Sequence, residues 1–123
     1  MPIVFTTDPK RRLVETKATG VLGNDEFAAH VRALAARDLL AFPQLIDARE
    51  ASVETTPADA REFAKLTGRL RAAHGSAKVA FVTSSDATYG ILRVYTVVSE
   101  EVDPGFRVFR DIDQAREWLQ SSE

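Results

Sequence analysis

The chain has 123 residues, 45% apolar and 28% charged, the size and balance of one ordinary globular domain whose folding buries roughly two-thirds of its surface. A net charge of -2, with no basic run longer than Lys10–Arg12, argues against a nucleic-acid footprint. The absence of cysteine excludes disulfides, thiol catalysis and Cys-ligated metal centres.

Ile3 to Thr7 is a short β-rich run, and Asp8-Pro9-Lys10 is a turn signal in which proline fixes φ. From Leu13 to Val21 the residues alternate imperfectly. Val14, Thr16, Ala18 and Gly20 fall on one face, and Glu15, Lys17 and Thr19 on the other. The two runs predict an antiparallel hairpin. The stretch GNDEF, Gly23 to Phe27, predicts a helix start with Asn24 as N-cap, and Asp25 and Glu26 suit the positive end of the helix dipole. Phe27, Val31, Leu34 and Ala35 recur at helical spacing until Pro43 closes the region. QLIDA then reads as a buried strand ending at Asp47.

Thr56-Pro57-Ala58-Asp59 fits a second helix start. Thr56 would be the N-cap, Pro57 the first helical residue and Asp59 the acid of a capping-box variant. Phe63, Leu66 and Leu70 continue the apolar stripe, and Gly75 after His74 suits the left-handed position that ends a helix. Lys78 to Val82 is the clearest buried strand. Thr83-Ser84-Ser85-Asp86 is another capping cluster, after which Ile91, Val94, Tyr95 and Val98 lie at helical spacing. Their β-branched content keeps a strand as the rival reading, and Gly90 costs a helix about 1 kcal/mol. FRVFRDI holds a last strand. Asp113 is read as the cap of a final helix whose Ala115, Trp118 and Leu119 face inward. The order ββαβαβαβα predicts an α/β fold over residues 1–123 as one domain. It is a mostly parallel sheet with right-handed crossovers and an antiparallel N-terminal edge hairpin.

The stretches ATGVLGNDEF, LIDAREAS followed by TPAD, KVAFVTSSDATYGILRVY and FRVFRDIDQAREWL together resemble the STAS domains, the fold of the anti-sigma-factor antagonists. More narrowly, the chain is similar to the SpoIIAA-like branch of small bacterial proteins. In the antagonists, a partner kinase phosphorylates a serine of an Asp-Ser-Ser-Gly stretch, at the start of the helix after a strand ending in Asp-Leu. The resemblance makes Asp47 the strand-end aspartate and puts Thr55 and Thr56 near the phosphoacceptor position. This sequence reads Glu54-Thr55-Thr56-Pro57 there, so serine and glycine are both absent and only a threonine is left to accept phosphate.

The rim expected to carry function joins Asp47, Arg49, Thr55, Thr56, Ser84, Ser85 and Asp86. It lies outside the carboxyl ends of the parallel strands, where open α/β sheets bind partners and ligands. The plainer reading is helix capping plus a turn at Thr55 and Thr56, helix entry at Ser84, Ser85 and Asp86, and a solvated strand end at Asp47, Arg49 and Glu50. Ile91, Val94, Tyr95 and Val98 read first as core and otherwise as an oligomer interface. Leu92 and Val97 add apolar surface off that stripe, which points to an oligomer interface or an apolar ligand. His30 and His74 have no second histidine at ligand spacing, so no metal and no cofactor is expected. Ser84, His74 and Asp86 supply triad residue types without a Gly-x-Ser-x-Gly elbow, and no catalytic residue is assigned. The sequence is thus read first as a non-catalytic regulatory or protein-interaction module. A small apolar-ligand binder, related in architecture to lipid-binding CRAL-TRIO domains, comes second and an enzyme third. The expected partner is a protein or a second copy of the chain. The N-terminal segment has no secretory pattern, and no apolar run reaches the ~18 residues of a membrane span, so a cytoplasmic location is expected.

Overall fold

Alternation along the second strand decides which side of the sheet is covered. Val14, Thr16 and Ala18 are buried, while Lys17 and Thr19 are exposed. The computed structural model describes residues 3–75, 77–99 and 105–121. Strand β1 (Ile3–Asp8) pairs antiparallel with β2 (Leu13–Leu22), from Ile3 opposite Ala18 to Asp8 opposite Leu13. The Asp8 carboxylate accepts from the backbone N–H groups of Lys10 and Arg11 at 3.1 and 3.3 Å, which holds the intervening turn.

Strands β3 (Gln44–Val53), β4 (Val79–Val82) and β5 (Phe106–Phe109) follow in parallel, giving the spatial order β1-β2-β3-β4-β5. Each new strand is added on the same side of the last. Right-handed crossovers therefore carry α1 (Asn24–Ala36), α2 (Pro57–His74) and α3 (Asp86–Ser99) to one face. Helix α4 (Ile112–Gln120) follows the last strand and covers Leu45, Ala80 and Val82 on the other face, with Ala115, Trp118 and Leu119 turned inward as expected. The main core lies under the three helices, where Ile46, Phe81, Leu92 and Val108 meet. This is the expected mostly parallel sheet with an antiparallel N-terminal edge hairpin.

Two helix entries differ from the sequence reading. Gly23, not Asn24, is the N-cap of α1, and it offers no side-chain cap. Asn24 is the first helical residue, and its amide reaches across to donate to Asp59 O at 2.7 Å. Asp111, not Asp113, caps α4, accepting from the N–H groups of Asp113 and Gln114 at 2.8 and 3.1 Å. Capping requires the last non-helical residue, so an acid two positions later acts only on the dipole. Gly75 does end α2, donating to Arg71 O at 2.9 Å. Its φ of 102° and ψ of 159° place it in an extended region open essentially to glycine, rather than in the left-handed helical one. A Cβ there would lie 3.0 Å from that of Ala41.

The segment around Ile91 is a helix, so the strand rival is ruled out. Its register is rotated from the expected one. Thr88, Leu92 and Tyr95 are buried, Ile91 is half-buried, and Val94 and Val97 are 46% and 70% exposed. The hydroxyl of Thr88 accepts from the N–H of Val53 at 3.3 Å and pins that register. On α2 the buried row is Ala60, Ala64, Thr67 and Arg71, with Phe63, Leu66 and Leu70 half-buried beside it.

Candidate functional site

Strand β3 does not end at Asp47. It runs on to Val53, whereas its neighbour β4 stops at Val82, the residue paired with Asp47. Asp47 is thus a mid-strand residue uncovered because the adjacent strand is short, not a strand end. A register shift against Lys17 and Thr19 follows directly, and the consecutive Arg49 and Glu50 are both exposed between the buried Ala48 and Ala51.

This geometry assembles an ionic cluster on the α4 side of the sheet. Arg49 donates from Nε and a terminal nitrogen to the two oxygens of Asp47, both at 2.9 Å. Lys17 lies 3.6 Å from Asp47 and 2.5 Å from Glu50. The paired hydrogen bonds from Arg49, outweighing partial burial, hold the Asp47 carboxyl well below its usual range, at about 2. The loop after β4 joins the cluster. Ser84 Oγ donates to Arg49 O at 2.9 Å, Arg110 pairs with Asp86 at 2.7 Å, and Arg110 also donates to Ser84 O at 3.3 Å. Ser85 serves α3 instead, its hydroxyl accepting from Thr88 N–H at 3.2 Å.

Thr55 and Thr56 are not part of that cluster. They lie past the far end of β3, and the six steps from Asp47 to Val53 alone span about 20 Å. The single expected rim is two patches. In the second, the exposed Thr56 caps α2 as expected, its hydroxyl accepting from Asp59 N–H at 3.1 Å, with Pro57 next in line. Thr55, half-buried, donates to Asn24 Oδ1 at 3.2 Å and so ties the starts of α1 and α2 together. Thr56→Ala is expected to cost about 1 kcal/mol, and Thr56→Asp to be nearly neutral, since Asp also caps and suits the dipole. Urea denaturation of both variants checks this, and an unchanged midpoint for Thr56→Ala would remove the cap from the account.

The apolar set on α3 also divides. Tyr95 is 5% exposed and packs inside the chain, so it is unavailable to a second copy, and Leu92, read as surplus, is core. Val94 and Val97 are the exposed pair; the side chain of Val98 lies outside the described residues. His74 sits at the opposite end of α2 from its start, 4.0 Å from Asp38, and does not meet Ser84 or Asp86. Among the described residues, no three His, Asp or Glu side chains gather at metal-binding distance. No helix there is long and apolar enough to cross a membrane.

One polar group escaped the sequence reading. Gln44 is 6% exposed, and its Oε1 accepts from Thr16 Oγ1 at 2.8 Å and lies 2.7 Å from His30 Nε2. Burial pushes the His30 imidazole below its usual range, against the opposing effect of the Gln44 hydrogen bond. The available signal was a glutamine opening an apolar strand, two residues before Ile46 and therefore on the same face.

No family model and no curated protein matches the sequence. Solved structures share its fold, among them these two. An uncharacterized protein of the DUF3478 family with a SpoIIAA-like fold, from Shewanella loihica PV-4, superposes with a TM-score of 0.58 at 21% identity, over 95% of this chain and 93% of that one. An anti-sigma factor antagonist from Mycobacterium paratuberculosis superposes with a TM-score of 0.59 at 10% identity, over 97% of this chain and 95% of that one. The five-stranded mixed sheet with its antiparallel edge, three helices on one face and one on the other is a SpoIIAA-like fold.

Proposed function

We propose that the chain is a non-catalytic regulatory module that recognises a protein partner through the charged surface of Lys17, Asp47, Arg49, Glu50, Ser84 and Arg110. The carrying observation is that these charges are held in place by one another while Lys17, Arg49 and Arg110 remain 48%, 45% and 47% exposed. Exposed pairs of this kind add little to stability. Fixed, open charges instead set the specificity and association rate of a protein interface. The fold shared with an anti-sigma factor antagonist supports a regulatory role, although a fold alone does not carry a function. The placement of Ser84 and His74 at unconnected sites supports a non-catalytic reading.

A Lys17→Gln/Arg49→Gln double variant tests the surface. Its stability is expected to stay within about 1 kcal/mol of the parent. Host proteins that the parent retains on a column at low salt, and releases as salt rises, are expected to pass through the variant column. Equal retention by parent and variant would show that this surface is not the one used.

A further inference from the structure

A partly open cavity of about 80 Å³ lies beneath α2, on the opposite face of the sheet from the charged surface and independent of it. Ala60 and Thr67 of α2 form part of its roof, and their short side chains leave the space open. Most of the wall is apolar, with rings from Phe27, Phe81 and Tyr95.

The polar residues in that wall are Asn24, His30, Gln44, Thr55, Thr67 and Arg71, and all but Gln44 use their side chains in bonds within the chain that leave no buried amide nitrogen over. Gln44 is 6% exposed, and Thr16 and His30 both engage its Oε1, so its amide nitrogen has no protein partner among the described residues. Exchanging the amide oxygen and nitrogen leaves the oxygen without one instead. Native interiors almost always satisfy such a group. One water would need only about 10–15 Å³, far less than the cavity provides.

We propose that this cavity is a binding site for a small neutral molecule that is apolar except for one hydrogen-bonding group, such as a short-chain alcohol or ketone. The polar end meets the Gln44 amide, and the apolar body lies against Phe81 and Tyr95. Size follows from volume. A cavity of about 150 Å³ holds benzene, so the enclosed part of this ligand has about three heavy atoms.

The test uses 1-butanol and 1-chlorobutane, which share an apolar body and differ in the hydroxyl. Each is titrated into isotope-labelled protein and followed by NMR. With 1-butanol, saturable shifts are expected at the Gln44 side-chain amide and at the methyl groups of Ile46, Val53 and Leu92. With 1-chlorobutane, binding is expected to be about tenfold weaker, with the Gln44 amide unmoved. Ala60→Leu fills the roof and is expected to abolish both titrations. Should that variant fail to fold, the two titrations of the unaltered protein still decide. Surface shifts alone, equal binding of the two probes, or undiminished butanol binding by a folded Ala60→Leu protein would each overturn the proposal.

Discussion

Tyr95→Ala is expected to lower stability by about 3–5 kcal/mol, whereas Val94→Ser, one position earlier, is expected to shift it by less than about 0.5 kcal/mol. The contrast follows from helix geometry. Consecutive residues on a helix point about 100° apart, so one can be core while its neighbour faces solvent. Tyr95 packs edge-on against Phe106 at a centroid distance of 4.8 Å and tilted against Phe63 at 5.7 Å. Its hydroxyl lies 3.3 Å from that of Thr67. Truncation removes the ring from between α2, α3 and β5 and enlarges the space beneath α2. Urea denaturation with the oligomeric mass followed in parallel separates the possibilities. A folded Tyr95→Ala protein that merely dissociates would put Tyr95 at an interface and contradict its burial. Among the described residues of α3, Val94 and Val97 are the exposed apolar pair open to self-association, and Val97→Asp should weaken any such contact without loss of fold.

Gln44→Leu is expected to cost about 2–5 kcal/mol, more than an exposed polar substitution, because it strands two partners at once. Thr16 is 3% exposed and His30 6%, so neither can turn to water when the Gln44 oxygen is removed. Each buried group left without a partner costs about 1–3 kcal/mol, while removing both partners of a bond costs far less. The double variant Thr16→Val/Gln44→Leu should therefore recover part of the loss. A single substitution that costs less than about 1 kcal/mol would mean that the network contributes no more than an ordinary surface contact.

The same network predicts a pH dependence. His30 is held below its usual value of 6.5 by burial, so the unfolded chain takes up the proton more readily than the folded one. Stability is then complete above pH 6.5 and declines as the pH falls through and below that value. Asp47 acts in a separate window. Its carboxyl is lowered from 3.8 to about 2, so its contribution is present above pH 3.8 and is lost as the pH falls toward 2. Denaturation midpoints at pH 7.5 and 5.5 isolate the histidine, and His30→Gln should flatten the difference. An equal midpoint at both pH values in the parent protein would place His30 in contact with solvent.

The sequence by itself determined the order of elements, the antiparallel start, the cap at Thr56 and the inward face of the last helix. These depend on interactions within a few residues: alternation for a strand, a threonine before a proline for a helix entry, and apolar spacing for a buried stripe. Tertiary structure decided the rest. Strand β3 runs past Asp47 because β2 pairs with it as far as Val53, and Asp47 is uncovered because β4 ends beside it; the local residues Asp47 to Val53 carry no mark of where either neighbour ends. The pairing of Arg49 with Asp47 is local, but Lys17, Ser84 and Arg110 reach the cluster only through sheet order. The register of α3 is set by a hydroxyl bonding a strand 35 residues away in sequence, which apolar periodicity cannot weigh. Gln44 reads as one polar residue in an apolar run. It becomes the centre of a buried network only when the parallel pairing of β2 and β3 sets Thr16 beside it and α1 lays His30 over both, because burial is a property of what the folded chain places on top of a residue.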